Sequence, residues 1–352
     1  MTTALKQYFH PKSFALGLGA VFAVYLLLFI YLAFTASSTL EKLESKLAQD
    51  GAVIQRGYAN YDQVVHTEHR PSQHQEAVDL ETLNTKRSGD ALVPAPVDGL
   101  YEHANAGLLP KIADSGATPF NVYKKPFALP GKPIIALVIN DYGLSASNSA
   151  EVLKELPAEV TLMLSPYTDD PEGWQKRARE NGHEFWIQTP IAGDDFPIAD
   201  PGTQALFYNA SLKQNSDRLE WIMARTTGYA GLAAATDTMS VTSPALINSI
   251  LSDVKKRGLG FFELNPDAPD ITRRFAERES LPFIRNLSFA HNTSLKELEK
   301  TARETGFVVA VVEPYPNTIN SLRIWTNTLE AKGFGLAPLS AIPKLNPFIE
   351  QE

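Results

Sequence analysis

The feature that most constrains the fold is a series of apolar segments of strand length, which begins after Lys132 and alternates with segments of helical periodicity. One helical segment carries Leu246, Ile250 and Val254 at spacings that put them on one side of a helix. Nearly continuous apolar strands separated by helices are typical of a parallel sheet that is buried on both faces. The strand-length segments are Ile134–Ile139, Val160–Leu164, Glu184–Gln188, Gly231–Ala235, Gly258–Glu263, Leu281–Arg285, Phe307–Val312 and Gly333–Ala337.

The number of these segments favours one architecture. Seven or eight parallel strands within residues 133–345 fit a (β/α) barrel better than an open doubly wound sheet. No glycine-rich loop follows the first segment, so the dinucleotide-binding and P-loop folds lack their characteristic motif. We therefore predict an α/β domain at residues 133–345, folded as a (β/α) barrel.

An uncharged run near the N-terminus predicts a membrane anchor. No residue from Phe14 to Phe34 is charged, and a helix needs about 20 apolar residues to cross the bilayer core. We predict a transmembrane helix at residues 14–36, with residues 1–13 as a short cytoplasmic tail. The alternative is a cleaved signal peptide, since the small residues that begin at Thr35 would permit cleavage.

The predicted orientation depends on few charges. Lys6 and Lys12 precede the run without any acidic residue, which favours a cytoplasmic N-terminus. The C-terminal domain would then lie in the bacterial periplasm, anchored by a single pass through the inner membrane. Ala15, Gly19 and Ala23 form a stripe of small residues that is compatible with helix pairing, and hence with an oligomer.

Two segments connect the predicted anchor to the barrel. Residues 37–98 begin with Leu40, Leu43 and Leu47 at amphipathic spacing and continue as a mainly polar stretch. We predict a juxtamembrane helix and a flexible spacer there. Residues 99–132 are rich in Pro, Gly and Ala but retain apolar side chains, which predicts an arm that packs on the domain.

Composition excludes several classes of function. The net charge is −8 and the isoelectric point is near 5.5, whereas nucleic-acid binding needs clustered Lys and Arg. The chain has no cysteine, which excludes thiolate catalysis, cysteine-bound zinc and disulfides. We therefore expect no nucleic-acid partner, and the absence of thiols is compatible with the periplasm.

Polar residues follow the predicted strands, where the functional groups of barrel enzymes collect. No histidine is among them, so zinc, which prefers His ligands, is less suitable than Mg²⁺ or Ca²⁺ in an all-oxygen site. Carboxylates at strand ends can also cap the next helix without any further role. The candidates are Asn140, Asp141, Tyr167, Gln188, Asp237, Glu263, Asn265, Asp267, Glu313 and Tyr315.

Several of these residues lie in segments that resemble a known family. The segments are IIALVINDYG from Ile134, VTLMLSP from Val160, TGYAGL from Thr227, KRGLGFF from Lys256 and VVEPYPNTI from Val311. In this order they are similar to the divergent polysaccharide deacetylases, over roughly residues 99–343. The resemblance implies a distorted (β/α) barrel of the glycoside hydrolase/deacetylase type. It also implies metal-assisted removal of acetyl groups from a polysaccharide, with a carboxylate as general base.

The departures from the family pattern concern its chemistry. Asn140 stands where relatives have the aspartate that acts as base, while Asp141 keeps the second aspartate, which binds metal in relatives. Gln188 stands where many members have a histidine, and Glu313 and Tyr315 replace two further histidines. An amide cannot accept a proton at neutral pH, so the resemblance predicts a weakened or absent reaction.

Three functional hypotheses follow. The preferred one is a catalytically impaired protein of cell-envelope carbohydrate metabolism, without a cofactor, that binds an envelope polysaccharide or an inner-membrane or periplasmic protein. The first alternative is an active deacetylase with rearranged ligands and a divalent metal. The second is an envelope scaffold. For the first alternative, the metal ligands would be Asp141, Glu263 and Glu313. The catalytic base would be Asp237 or Asp267, because the degenerate Asn140 occupies the position of the base in relatives. The substrate-binding groups would be Tyr167, Gln188, Asn265 and Tyr315.

Overall fold

The computed structural model describes residues 91–286, 288–289 and 294–345. The strands are β1 (Tyr101–Ala104), β2 (Gly107–Pro110), β3 (Ile134–Tyr142), β4 (Thr161–Leu164), β5 (Phe185–Gln188), β6 (Ile191–Ala192), β7 (Leu206–Phe207), β8 (Gly231–Ala234), β9 (Gly260–Glu263), β10 (Phe283–Arg285), β11 (Ser288–Phe289), β12 (Phe307–Val312) and β13 (Gly335–Ala337). The helices are α1 (Pro119–Tyr123), α2 (Ala146–Glu155), α3 (Pro171–Glu180), α4 (Leu212–Met223), α5 (Met239–Thr242), α6 (Pro244–Lys256), α7 (Ile271–Glu279), α8 (Leu295–Thr305) and α9 (Pro316–Leu329), followed by a 3₁₀ helix (Leu339–Leu345).

Short polar residues set the starts of several helices. Ser145, directly before α2, accepts a hydrogen bond from the backbone N–H of Asn148 and so satisfies a donor that the helix leaves free. Ser211 before α4 and Ser294 before α8 form capping boxes, in which the side chain three residues later bonds back to the cap. These caps define where each loop after a strand ends.

The main sheet is an almost closed barrel of parallel strands. Its strand order is β10-β9-β8-β5-β4-β3-β12-β11, and β13 pairs with the first half of β3. The outermost strands, β10 and β11, are separated in sequence only by residues 286 and 287, so the two edges of the sheet come close together. Every predicted strand segment overlaps an observed strand, and the predicted α/β barrel is confirmed.

Side-chain alternation divides the core into two layers. Residues that face into the barrel include Met163, Trp186, Phe262 and Val309, which pack as one buried cluster. Their sequence neighbours face outward and pack against the helices. The barrel is therefore filled by side chains rather than open, as is usual for this architecture.

The segment at residues 91–132 lies against the amino ends of the barrel strands. The Arg179 side chain at the end of α3 donates to the carbonyl oxygens of Val93 at 2.6 Å and Tyr123 at 3.1 Å. The backbone N–H of Phe120 donates to the carbonyl of Gly258, which precedes β9, and the Phe120 ring packs with the barrel interior. These contacts are at the end of the barrel opposite the candidate site.

Among residues 91–286, 288–289 and 294–345, no helix is long and apolar enough to cross a membrane. The predicted tail at 1–13, the predicted transmembrane helix at 14–36 and most of the predicted spacer at 37–98 lie outside the described residues.

Candidate functional site

The carboxyl end of β3 contains a β-bulge. Ile139 pairs with Leu162 and Tyr142 with Leu164, so Asn140 and Asp141 together oppose a single residue of β4. Asp141 has a φ of 50°, in the left-handed region that aspartate tolerates better than most residues. A bulge changes the direction of side chains that would otherwise alternate between the two faces of the strand.

This bulge lets two consecutive side chains contact the same partner. Gln188 Nε2, at the end of β5, donates to Asn140 Oδ1 at 2.5 Å and to Asp141 Oδ1 at 3.0 Å. Asn140 Nδ2 in turn donates to Glu313 Oε1 at 2.7 Å, directly after β12. We call Asn140, Asp141, Gln188 and Glu313 the polar quartet. All four are half-buried and lie at the carboxyl ends of strands in one part of the barrel.

The Glu313 carboxyl of the quartet has a raised pKa. Burial first, and the negative charge of the neighbouring Asp141 second, raise the pKa of Glu313 to about 7. The hydrogen bond from Asn140 acts against this shift. Near neutral pH, Glu313 is therefore protonated for a substantial part of the time.

Glu263 lies apart from the quartet. Phe262 faces the barrel interior, so the next residue, Glu263, faces outward like Phe261. Its carboxylate is fully buried and accepts from Thr236 N at 2.9 Å and Thr236 Oγ1 at 2.6 Å. Burial raises its pKa, while the hydrogen bonds from Thr236 lower it. The contacts indicate a structural anchor for the loop after β8.

Asp237 holds two loops together. Its carboxylate accepts from the backbone N–H of Met239 at 2.9 Å and from that of Asp194 at 3.0 Å. The Tyr208 hydroxyl is buried, and its pKa is raised first by burial and then by the nearby Asp237 charge. Asp237 therefore joins the insertion at residues 189–210 to the loop after β8.

Asn265 and Asp267 form the turn after β9. Asn265 Nδ2 donates to the carbonyl of Thr236 at 2.7 Å, and Asn265 Oδ1 accepts from the backbone N–H of Asp267 at 3.0 Å. The Asp267 side chain is exposed. Neither residue has a hydrogen bond to the quartet in the described structure.

The two candidate tyrosines have different surroundings. Tyr167 is half-buried beneath the insertion, where its hydroxyl accepts from Gln204 N at 3.3 Å and a Cβ at Gly202 would lie 2.6 Å from its ring. Tyr315 is 63% exposed, and its backbone N–H donates to the carbonyl of Glu313. Tyr315 thus follows Glu313 closely in the chain and is largely exposed, whereas Tyr167 mainly supports a loop.

Sequence reasoning missed two features of this region. One is that the amides Asn140 and Gln188 connect Asp141 and Glu313 through hydrogen bonds, and the other is the insertion at residues 189–210, which contains β6 and β7. The absence of any Lys or Arg from residue 180 to residue 212 could have indicated that this insertion is acidic. The hydrogen bonds of the two amides have no such signal in the sequence.

The family model for divergent polysaccharide deacetylases matches residues 137–342, which is more than half of the chain. The chain belongs to the divergent polysaccharide deacetylase family. The match includes every candidate site residue, from Asn140 to Tyr315. No protein of curated function matches the chain.

One solved structure supports the same fold. An uncharacterized protein from Agrobacterium tumefaciens C58 has a TM-score of 0.64 and 26% sequence identity, covering 67% of this chain and 99% of that protein. A Streptomyces avermitilis chain assigned to orotidine 5′-phosphate decarboxylase has 12% identity over 62% of this chain and 90% of its own length, with a TM-score of 0.29. The second likeness is too weak to carry an argument.

The residues present do not fit the divalent metal that the family chemistry implies. Among the described residues, no group of three or more His, Asp or Glu side chains could hold a metal ion. Asp141 and Glu313 lie close together. Glu263, however, faces the other side of its strand, and its carboxylate already accepts two hydrogen bonds from Thr236. The two remaining members of the quartet are amides, which are weak ligands compared with the histidines of relatives.

Proposed function

We propose that this family member binds an envelope glycan at the carboxyl end of its barrel without hydrolysing it. The observation that supports the proposal is the polar quartet, in which Asn140 occupies the position of the base and is hydrogen-bonded to Glu313. An amide that donates to a carboxyl group cannot remove a proton from water. The same mixture of amides and carboxyls is suited to binding sugar hydroxyls.

The exposed ring of Tyr315 supports the same proposal. It lies two residues from Glu313 and gives the site an aromatic face on which a sugar ring can pack. Amphipathic aromatic groups beside a few oriented polar groups are typical of ligand sites. The combination favours a glycan over a protein partner at this position.

The proposed location is the periplasmic side of a bacterial inner membrane. The uncharged run from Phe14 to Phe34 would anchor the chain, and residues 37–98 would let the barrel reach the glycan. An envelope polymer is the ligand class that this arrangement would meet.

A second candidate is an active deacetylase, which one observation favours. A general base works best with a pKa near the operating pH, and the pKa of Glu313 is raised to about 7. Glu313 would then replace the lost aspartate as proton acceptor. Its contacts with Asn140 and Asp141 oppose this role because they occupy the carboxyl group.

Binding and hydrolysis can be measured separately on the full chain. We expect acetylated glycan oligomers or peptidoglycan fragments to be retained, with no acetate released in the presence or absence of divalent metal. Tyr315→Ala should weaken retention about tenfold, whereas Tyr101→Ala, on the arm at the opposite end, should have no effect.

The alternatives give different results. Acetate release that disappears in Glu313→Gln would establish the enzyme and contradict our proposal. Neither retention nor acetate release, with a membrane protein that co-purifies in a defined ratio, would favour the scaffold.

A further inference from the structure

The insertion at residues 189–210 carries a tip that is exposed and partly apolar. Residues 195–201 read DFPIADP, and all of residues 195–200 are exposed. Phe196 is 42% exposed and Ile198 is 95% exposed. Single exposed apolar residues are ordinary, but neighbouring ones that form a patch usually mark a surface that a ligand or partner covers. We call residues 195–201 the apolar tip.

The apolar tip is bonded mainly to itself. In the described structure, its hydrogen bonds stay within the tip and the two residues on either side, as when the backbone N–H of Ile198 donates to the carbonyl of Asp195 at 2.8 Å. The Phe196 ring also contacts the Phe207 ring, with 5.1 Å between the ring centroids. Gly202, directly after the tip, has a φ of 101°, which glycine adopts readily. The tip can therefore move as one unit.

The base of the insertion, in contrast, is fixed to the barrel. Strands β6 and β7 pair with each other, and the Asn215 side chain of α4 bonds to both backbone groups of Phe207, at 3.0 and 2.8 Å. Before the tip, the backbone N–H of Asp194 donates to Asp237 at 3.0 Å. A fixed base with a locally bonded tip is the construction of a hinged lid, in which a few residues absorb the change of backbone angles.

The apolar tip is long enough to cover the polar quartet. The insertion leaves β5 directly after Gln188, and strands about 4.8 Å apart place β3 roughly 10 Å and β12 roughly 14 Å along the sheet from β5. Ten residues that run out and back, from Gly193 to Gly202, reach roughly 15 Å. The loops after β3 and β12 expose two further apolar side chains, those of Leu144 and Tyr315. The tip can therefore cross the quartet and meet an apolar rim.

We infer that the apolar tip is a lid, which swings across the carboxyl end of the barrel and packs Phe196 and Ile198 onto a glycan held there. The inference rests on the proposed glycan-binding function. Without a glycan, the polar quartet gives apolar side chains little to pack on, whereas the C–H face of a sugar ring does. Asp195 and Asp200, on either side of the apolar pair, disfavour a lipid surface as the occupant because its anionic headgroups would repel them.

Crosslinking can detect the swing, because the chain has no cysteine of its own. The double variant Leu144→Cys, Ile198→Cys can form a disulfide only when the two Cα atoms come within about 7 Å. With oxidised glutathione as oxidant, we expect an N-acetylglucosamine tetramer to speed disulfide formation at least about tenfold in the full chain. The closed disulfide should also hold the tetramer through gel filtration until a reductant is added.

A second pair of cysteines controls for general loosening of the chain. Ile324 is exposed on α9, so the tetramer should not speed disulfide formation in Ile198→Cys, Ile324→Cys. Equal acceleration in both pairs would overturn the inference. So would slower formation in the Leu144 pair, because it would show that the glycan covers a tip that does not move.

Affinity gives an independent measurement. Ile198→Ser should weaken calorimetric binding of the tetramer about tenfold, since it removes the apolar contact that closure makes. Ile324→Ser, the same change at another exposed position, should leave the affinity unchanged. Circular dichroism checks that both variants fold.

The outcomes separate the lid from the function on which it rests. Binding of the tetramer with neither faster crosslinking nor an effect of Ile198→Ser would overturn the inference while the proposed function stands. Failure of the unmodified chain to bind the tetramer would overturn the proposed function itself, and the lid with it.

Discussion

At the scale of single residues, the site depends on the backbone conformation of Asp141 and on the raised pKa of Glu313. The left-handed conformation of Asp141 turns its side chain toward Gln188, and Asn140 reaches the same group from the other side of the bulge. Such a left-handed conformation costs roughly 1 kcal/mol or more and persists only when the surrounding contacts hold it in place. Here, the contacts to Gln188 and Glu313 hold Asp141 in this conformation.

The carboxyl pair predicts a pH-dependent effect of Glu313→Gln. The pKa of Glu313 is raised from 4.5 to about 7, so its contribution to stability is complete below about pH 4.5 and is lost as the pH rises through 7. Gln stays neutral, and we expect it to stabilise the fold by about 2 kcal/mol at pH 8 but hardly at pH 4.5. Urea unfolding at the two pH values measures this difference, and an identical change at both would contradict it. Glu304→Gln, at an exposed position, is the control.

At the scale of elements, one buried acid joins three parts of the chain. Glu184, before β5, accepts from Lys125 N of the arm at 2.8 Å and from Trp186 Nε1 at 2.9 Å. It also accepts from the backbone N–H of Ser340 at 3.1 Å and from the Ser340 hydroxyl in the 3₁₀ helix. These contacts hold the arm and the C-terminal segment at the amino end of the barrel, away from the quartet.

Glu184→Ala should therefore be strongly destabilising. It would leave several buried donors without a partner, at about 1–3 kcal/mol each when no water replaces the carboxylate, and we expect a total loss of about 4 kcal/mol. Chemical denaturation measures the loss, and proteolysis within residues 91–132 should become faster. Glu180→Ala, exposed on the same face of the molecule, should cost less than about 0.5 kcal/mol. Similar losses in the two variants would show that Glu184 has no special role.

At the scale of the whole molecule, the almost closed barrel encloses large side chains, which fit only because small residues lie next to them. Trp186 fills the interior between β5, β8 and β9, beside Gly231 and Gly260. A Cβ at Gly231 would lie 2.3 Å from both the Gly260 carbonyl oxygen and the Trp186 ring. The glycines therefore permit close packing of the barrel rather than an unusual backbone conformation at these positions.

Gly231→Ala should destabilise the barrel by about 3 kcal/mol through overpacking. Trp186→Phe should restore only part of this, since the contact with the Gly260 carbonyl remains. Gly333→Ala is the contrast, because its Cβ would meet open space and only its φ of 82° is unfavourable, at about 1 kcal/mol. Melting temperatures of the variants test the order, and a larger loss at Gly333 would contradict the explanation.

Much of the architecture could be predicted because its signals are local. Each barrel strand is an apolar run that must be buried on both faces, and each run was visible without knowledge of its neighbours. The order of motifs from Ile134 to Ile319 was sufficient to indicate the family. The parallel topology then placed Asn140, Gln188 and Glu313 at the same end of the barrel before any contact was known.

The direction of each side chain was not predictable in the same way. Phe261 and Phe262 are both buried, so an apolar run cannot indicate which of them faces inward, and the face of Glu263 depends on that choice. The bulge that turns Asp141 toward Gln188 results from pairing with β4, and the hydrogen bond from Asn140 to Glu313 joins residues separated by 173 positions.

The sequence by itself therefore determined the strands, the barrel class, the family and the end of the barrel where the candidate residues lie. Only the tertiary structure decided which of them touch. Hydrophobic periodicity reports whether a residue is buried, a property of the local segment, whereas contact between side chains depends on strand register across the sheet. The pairing of Asp141 with Glu313, and the separation of Glu263 from both, follow from that register.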